Sequence, residues 1–137
     1  MEDKITVEVV VEKGLEGVWT AYTQPEHITG WNFADASWHC PWASNDLRPG
    51  GTYAARMEAR DASAGFMLEG VTEEVVPGER WVYGFDGRRV EVSFAAEGAG
   101  TRVTLHFDPE NVHPRDLQQA GWQAILDSFK RYAEGKV

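Results

Sequence analysis

The last stretch of the chain, from Pro114 to about Glu134, most constrains what the protein can fold into. Its apolar residues recur every three or four positions, which predicts one amphipathic helix of about five to six turns. The apolar stripe comprises Leu117, Gly121, Ile125, Phe129 and Tyr132, widened by Ala120, Trp122, Ala124, Leu126 and Ala133. The opposite face carries Asp116, Gln119, Gln123, Asp127, Lys130, Arg131 and Glu134. Because the stripe is wide and bears large aromatic rings, it needs a broad partner surface.

The rest of the chain predicts six strands that can supply this surface. Residues 4–12 alternate, with Ile5, Val7, Val9 and Val11 on one face. Turn signals such as Pro77-Gly78 and Asp86-Gly87 separate the later strands. These strands are predicted at 52–59, 65–76, 80–86, 88–95 and 101–108. The facing of residues 65–76 stays unassigned, since Gly70 there indicates a bulge or a close approach.

Two short helices and one irregular segment are predicted between the first two strands. The helices cover residues 15–22 and the stretch from Pro25 to Trp31. Residues 32–49 follow no period but contain several aromatics, which favours an ordered loop over the core, with a short strand as an open alternative. No strand–helix–strand alternation appears, so the fold class is α+β, an antiparallel sheet wrapped around a helix. At 137 residues, the sequence predicts one domain spanning 1–137.

Composition and charge limit the classes of partner and the compartment that we expect for this protein. The net charge is −9 and no run of Lys or Arg occurs, so nucleic acid and anionic membranes are poor partners. No apolar run approaches the roughly 20 residues that a bilayer crossing requires. The start lacks the basic-then-apolar form of a secretion signal. The single cysteine, Cys40, fits a reducing compartment, and we expect a cytoplasmic protein.

Several motifs in fixed order resemble one known family. They are Val18-Trp19, Thr23-Gln24-Pro25-Glu26-His27-Ile28 with Trp31, Asp46-Leu47-Arg48-Pro49-Gly50-Gly51, residues 70–80, residues 100–105, and Gly121-Trp122. Together they resemble the activator of heat-shock protein 90 ATPase-like family, within the START/birch-pollen-allergen-like (SRPBCC) helix-grip superfamily. Each motif alone is weak, but the ordered set covers nearly the whole chain.

The resemblance implies a fold more than an activity. It implies a helix-grip fold, a curved antiparallel sheet holding the C-terminal helix, usually with a cavity between them. Single-domain members resemble small-molecule binders, whereas co-chaperone activity belongs to larger relatives with an additional domain, for which this chain has no room. Where the family usually has a second tryptophan, this chain has Asn32, and its loop carries Trp38 and Trp42.

The shared facing of aromatic residues predicts where a ligand would bind. The hypothesis assigns Tyr53, Met57, Trp81, Tyr83 and Phe85 to a sheet wall, Trp122, Ile125 and Phe129 to the helix, and Trp31 and Trp38 to the entrance. Such a lining suits a flat, mostly apolar molecule. The alternative is that these side chains simply fill a close-packed core.

Other motifs carry less chemistry. His39-Cys40 lacks companions at metal-ligand spacing and a third group to orient a nucleophile, so neither a metal nor a cofactor is expected. Glu73-Glu74 is expected to be solvated, and Gly50-Gly51 fits a tight turn better than a phosphate loop.

Three functions remain as hypotheses. The first is a binder of a small hydrophobic, aromatic or lipid-like molecule. The second is a cyclase- or dehydratase-like enzyme that uses the same cavity, and the third is an interaction protein related to chaperone activation. No catalytic residue is assigned, and the oligomeric state stays open, a homodimer included.

Overall fold

The structure, a computed structural model, describes residues 4–136. Within them the strands are β1 (Ile5–Val11), β2 (Trp38–Asn45), β3 (Thr52–Ala59), β4 (Gly65–Val76), β5 (Arg80–Phe85), β6 (Arg88–Glu97) and β7 (Gly100–Phe107). The helices are α1 (Leu15–Thr23), α2 (Pro25–Ile28) and α3 (Arg115–Lys136). The strands form one antiparallel sheet in the order β1-β7-β6-β5-β4-β3-β2, which curls around α3. The predicted α+β helix-grip fold is therefore confirmed.

The described residues contain seven strands where the sequence predicted about six. The additional one is β2, which lies within the segment predicted as an ordered loop and pairs with β3. Its register shifts between His39 and Trp42, and Pro41 lies inside the shift. A bulge moves the following side chains to the other face, so the strand shows no alternation that periodicity could detect.

The structure shows which face of the sheet each side chain of β4 lies on, which the sequence left unassigned. Leu68, Gly70 and Thr72 point to the concave side, and the register then shifts between Thr72 and Glu74. A Cβ added at Gly70 would lie 2.9 Å from the carbonyl oxygen of Gly84, so only glycine fits this close approach without rearrangement. Glu73 and Glu74 are exposed on the convex side, as expected.

The buried stripe of α3 is centred about one residue later than periodicity indicated. Leu126, Phe129 and Ala133 are at most 1% exposed, whereas Leu117, predicted to be in the stripe, is 56% exposed. At that turn Gln118 takes the inward position instead. Its amide donates to the carbonyl oxygens of Glu110 and His113 at 3.2 and 2.8 Å and accepts from the Glu110 N–H at 2.9 Å. The loop backbone thus occupies the space that Leu117 would need.

The polar face of α3 is bonded to β1 at alternate residues. Side chains of the helix donate to β1-side carbonyl oxygens in four places: Arg115 to Lys4 (2.7 Å), Gln119 to Thr6 (3.2 Å), Gln123 to Glu8 (3.1 Å) and Lys130 to Val10 (2.5 Å). The Glu134 carboxylate accepts from the Glu12 N–H at 2.9 Å. Backbone groups that the sheet leaves unpaired are satisfied in this way. The helix is therefore fixed to the sheet by both of its faces.

Among residues 4–136, no helix has both the length and the apolar character that a bilayer crossing demands.

Candidate functional site

A cavity of about 230 Å³ lies between the concave face of the sheet and α3. Strands β3 to β7 supply one side, α3 the opposite side, and the segment from α1 to Asn32 the inner end. Its lining is formed by Tyr22, Trp31, Asn32, Tyr53, Met57, Phe66, Leu68, Tyr83, Phe85, Arg88, Leu105, Trp122, Ile125 and Leu126. Most of these side chains are apolar or aromatic, as in sites that bind small organic molecules.

Seven of the ten residues assigned to a site from the sequence line this cavity. They are Trp31, Tyr53, Met57, Tyr83, Phe85, Trp122 and Ile125. Trp81 and Phe129 lie in the adjacent core, 1% and 0% exposed, with ring centroids 4.7 Å from Tyr83 and 5.0 Å from Trp31. Trp38 lies on β2 with its ring centroid 6.0 Å from that of Phe66. A role in ligand binding remains a prediction for all ten residues.

The mouth of the cavity is apolar and only half-covered. Phe66 is 49% exposed, and Phe85 and Trp122 are half-buried with ring centroids 6.2 Å apart. Trp122 also stacks on Phe107, with centroids 4.3 Å apart and planes 22° apart. This stacking holds the indole in place while one side of it borders the open space. The mouth is therefore a preformed aromatic slot.

Three tyrosines surround the inner part of the cavity. Burial raises the pKa of Tyr22, Tyr53 and Tyr83 well above the ordinary tyrosine value, so each hydroxyl keeps its proton at neutral pH. Asn32 donates from Nδ2 to the Tyr53 hydroxyl at 3.5 Å. The inner lining therefore presents hydrogen-bond donors within an aromatic wall.

One charged residue, Arg88, lines the cavity and was missed by sequence reasoning. It pairs with Phe85 across β5 and β6, and its guanidinium carbon lies 4.5 Å from the Phe85 ring centroid, a cation–π contact. The signal was present in the sequence. Arg88 has the same parity along β6 as Val90 and Val92, which are fully buried, so its side chain belongs to the concave face.

The polar motifs outside the cavity have structural surroundings. Cys40 is buried, its Sγ donates to the Trp42 carbonyl at 3.4 Å, and burial raises the pKa of its thiol. Such a thiol stays protonated and unreactive. His39 lies 3.6 Å from the Glu58 carboxylate. No group of three or more His, Cys, Asp or Glu side chains within residues 4–136 could hold a metal ion.

Comparison with known proteins identifies the relatives of the chain. Residues 14–134 match the family described as Activator of Hsp90 ATPase homolog 1-like protein. An AHSA1-like protein from Aeromonas hydrophila, solved by NMR, is 44% identical with a TM-score of 0.91, over 96% of this chain and 92% of that one. Chr148 from Cytophaga hutchinsonii is 45% identical with a TM-score of 0.83, over 98% and 94%. No protein of curated function matches the chain.

The fold extends to more distant proteins. NE0264 from Nitrosomonas europaea is 18% identical with a TM-score of 0.83, over 98% of this chain and 96% of that one, a likeness of fold alone. The family match spans the helices α1 and α2, six of the seven strands and nearly all of α3. The chain therefore belongs to the family of proteins like the activator of Hsp90 ATPase homolog 1.

Proposed function

We propose that the protein binds a small, flat, largely apolar molecule in the cavity between the sheet and α3. The observation that carries the proposal is the aromatic slot formed by Phe66, Phe85 and Trp122, which leads into a lined space of about 230 Å³. Ligand pockets commonly occupy roughly 300–1,000 Å³. The smaller volume here favours a molecule of one or two fused rings over a long-chain lipid.

Covering the apolar surface at the mouth of the cavity would make a favourable contribution to the binding free energy of such a molecule. Phe66 exposes 49% of its surface, and apolar area removed from water contributes about 25 cal/mol per Å². A flat ring packed against Phe66, Phe85 and Trp122 would cover the apolar surface that these side chains leave exposed at the cavity. Since Trp122 is already held by its stack on Phe107, little side-chain freedom would be lost. The slot is therefore suited to stacking a planar ligand.

The ionisable lining favours binding over acid–base catalysis. Its members are three tyrosines that hold their protons and one arginine, and all of these donate hydrogen bonds. A cyclase- or dehydratase-like reaction would need a group near neutral pKa to accept a proton. The lining supplies recognition of an oxygen acceptor instead. Activation of an Hsp90 ATPase, suggested by the family description, is a separate candidate that an ATPase assay would test.

A pair of neighbouring substitutions on β4 tests the proposal. Leu68 lines the cavity, whereas Met67 points to the convex face and is 42% exposed. Leu68→Phe should fill the cavity and lower the affinity for 2-naphthalenemethanol, a neutral two-ring probe, by about tenfold or more. Met67→Phe adds a ring of the same size outside and should leave the affinity unchanged. Isothermal titration calorimetry measures both.

Two results would overturn the proposal. One is the absence of binding heat and of tryptophan fluorescence change with any one- or two-ring aromatic probe at millimolar concentration. The other is equal loss of affinity in Leu68→Phe and Met67→Phe, since the probe would then bind elsewhere. Native mass spectrometry of the purified protein adds an independent check, because a co-purified aromatic molecule would identify the natural ligand class directly.

A further inference from the structure

Arg88 differs from the other arginines of the neighbouring strands. Within residues 4–136, several of those guanidinium groups pair with a carboxylate on the surface: Arg56 with Glu58 at 2.9 Å, Arg80 with Glu74 at 2.5 Å, Arg89 with Glu73 at 2.8 Å, and Arg102 with Glu8 at 2.8 Å. Arg88 makes no ion pair to residues in this range, and its guanidinium instead contacts the face of the Phe85 ring. Its N–H donors are therefore available for another partner.

Tyr83 provides a second available donor beside it. Tyr83 is 4% exposed, and its hydroxyl makes no hydrogen bond to a protein group in the described part of the chain. The side chains of Tyr83, Phe85 and Arg88 share the concave face, with the Tyr83 and Phe85 ring centroids 6.2 Å apart. The positive charge of Arg88 acts on the pKa of Tyr83, lowering it against the larger effect of burial. The guanidinium and the hydroxyl thus face one region of the cavity.

The charge at the mouth is not neutralised by its acidic neighbours. Asp86 and Asp108 border a groove next to Arg88, but Asp108 accepts hydrogen bonds from Lys4 at 2.6 Å and from the Arg89 N–H at 3.0 Å. Asp86 lies in the exposed turn that follows β5. Arg88 is half-buried, and even partial burial of an arginine without a counter-ion is unfavourable unless an anion or solvent completes its hydrogen bonds. A ligand oxygen would meet that requirement.

We infer that the ligand is an aromatic carboxylate, its ring in the aromatic slot formed by Phe66, Phe85 and Trp122 and its carboxylate bound by the Arg88 guanidinium and the Tyr83 hydroxyl. This inference rests on the proposed function and specifies the chemical class of its ligand. Arginine suits the role because its planar fork donates two parallel hydrogen bonds to a carboxylate. Tyr83 can donate at the same time because it stays protonated at neutral pH. The residue pair therefore selects for a planar acid over a neutral analogue.

A matched pair of ligands and a matched pair of arginines test the inference. We expect 2-naphthoate to bind about tenfold more tightly than 2-naphthalenemethanol, since hydrogen bonds to charged groups are the stronger class. Arg88→Gln should remove this preference, because it should lower the affinity for naphthoate much more than the affinity for the alcohol. Arg89→Gln, one residue away and paired with Glu73 on the convex side, should keep the preference. Tyr83→Phe should lower the affinity for naphthoate severalfold.

The possible outcomes distinguish failure of this inference from failure of the proposed function on which it rests. Equal affinities of wild-type protein for the two ligands would overturn the inference and leave the proposed function standing. The inference also fails if Arg89→Gln loses the preference as fully as Arg88→Gln, because the effect would then be one of overall charge. Failure of both ligands to bind the wild-type protein would overturn the proposed function and the inference together.

Discussion

The two ends of the space between α3 and the sheet differ in how completely they are filled. At the closed end, α1 and α2 cover the helix, and the rings of Tyr22, Trp31 and Phe129 lie with centroids 4.7 to 5.0 Å apart. At the open end, Phe85 and Trp122 are 6.2 Å apart and Phe66 is half-exposed. The same helix therefore serves stability in its C-terminal half and borders a cavity in its N-terminal half.

The largest expected effect tests the closed end. Phe129 is 0% exposed and contacts both Tyr22 and Trp31, so Phe129→Ala should lower the free energy of unfolding by about 3–5 kcal/mol. Urea unfolding followed by tryptophan fluorescence measures the change. A loss below about 1 kcal/mol would mean that the closed end is not packed as described.

The next effect tests the open end, where we expect a smaller loss of stability and a larger loss of affinity than at Phe129. Trp122 is half-buried, so Trp122→Ala should cost less stability than Phe129→Ala, about 1.5–3 kcal/mol. Its effect on the affinity for 2-naphthalenemethanol should be the greater of the two, because Trp122 forms one side of the slot. Calorimetric titration of both variants, under conditions where each is folded, decides the order. If Phe129→Ala weakened binding more, the division into two ends would be wrong.

A smaller effect concerns pH at the open end. The hydrogen bond from Lys4 holds the pKa of Asp108 below its usual value, so the pair stabilises the fold above the unfolded-state pKa of about 3.9. That contribution is lost as the pH falls through the still lower pKa of the folded state. Since the Asp108 side chain is 37% exposed, Asp108→Asn should cost less than about 1 kcal/mol at neutral pH.

Urea unfolding at neutral pH and below about pH 4 checks this prediction. The difference between wild-type protein and Asp108→Asn should shrink on the acid side. In a Lys4→Gln background the substitution should have a smaller effect at neutral pH, because the partner is gone. A difference that grows on acidification would contradict the assigned pairing.

The smallest effect lies at the start of α3. Leu117 is 56% exposed because Gln118 takes the inward position, so Leu117→Gln should change stability by less than about 0.5 kcal/mol. Gln118→Ala is the informative companion, since it would leave backbone groups of the loop before α3 without their partner and should cost more. If urea unfolding showed that Leu117→Gln and Gln118→Ala lower the free energy of unfolding equally, Leu117 would belong to the buried stripe, as periodicity suggested.

How much the sequence could predict depended on whether alternation was preserved. Buried and exposed residues alternate along β1, and in β5 Trp81, Tyr83 and Phe85 share one face although Val82 between them is also buried. Seven aromatic or apolar site residues could be chosen from such rows and from the periodicity of the helices. Strand β2 could not be predicted in this way, because its bulge at Pro41 moves side chains from one face to the other. Leu117 was misplaced because periodicity defines a helix face but carries no information on which turns a sheet covers.

The residues missed at the site have a different cause. Tyr22 and Arg88 reach the cavity from elements distant in the sequence, and only the curl of the sheet brings them together. Leu68 lies in β4, where the shift after Thr72 and the glycine at 70 prevented any assignment of facing. Arg88 was the one that parity could have indicated, since it continues the inward row of β6. A charged residue in such a row is a signal of a site.

The bonds between α3 and β1 also bear on how the molecule behaves among its own copies. A free edge strand offers its backbone as a template for another chain, which is a route to aggregation. At β1 the outward carbonyls are already occupied by Gln119, Gln123 and Lys130. At β2, the opposite margin, Pro41 and the bulge interrupt any regular ladder. Neither margin of the curled sheet therefore offers a further strand a regular, unoccupied backbone ladder.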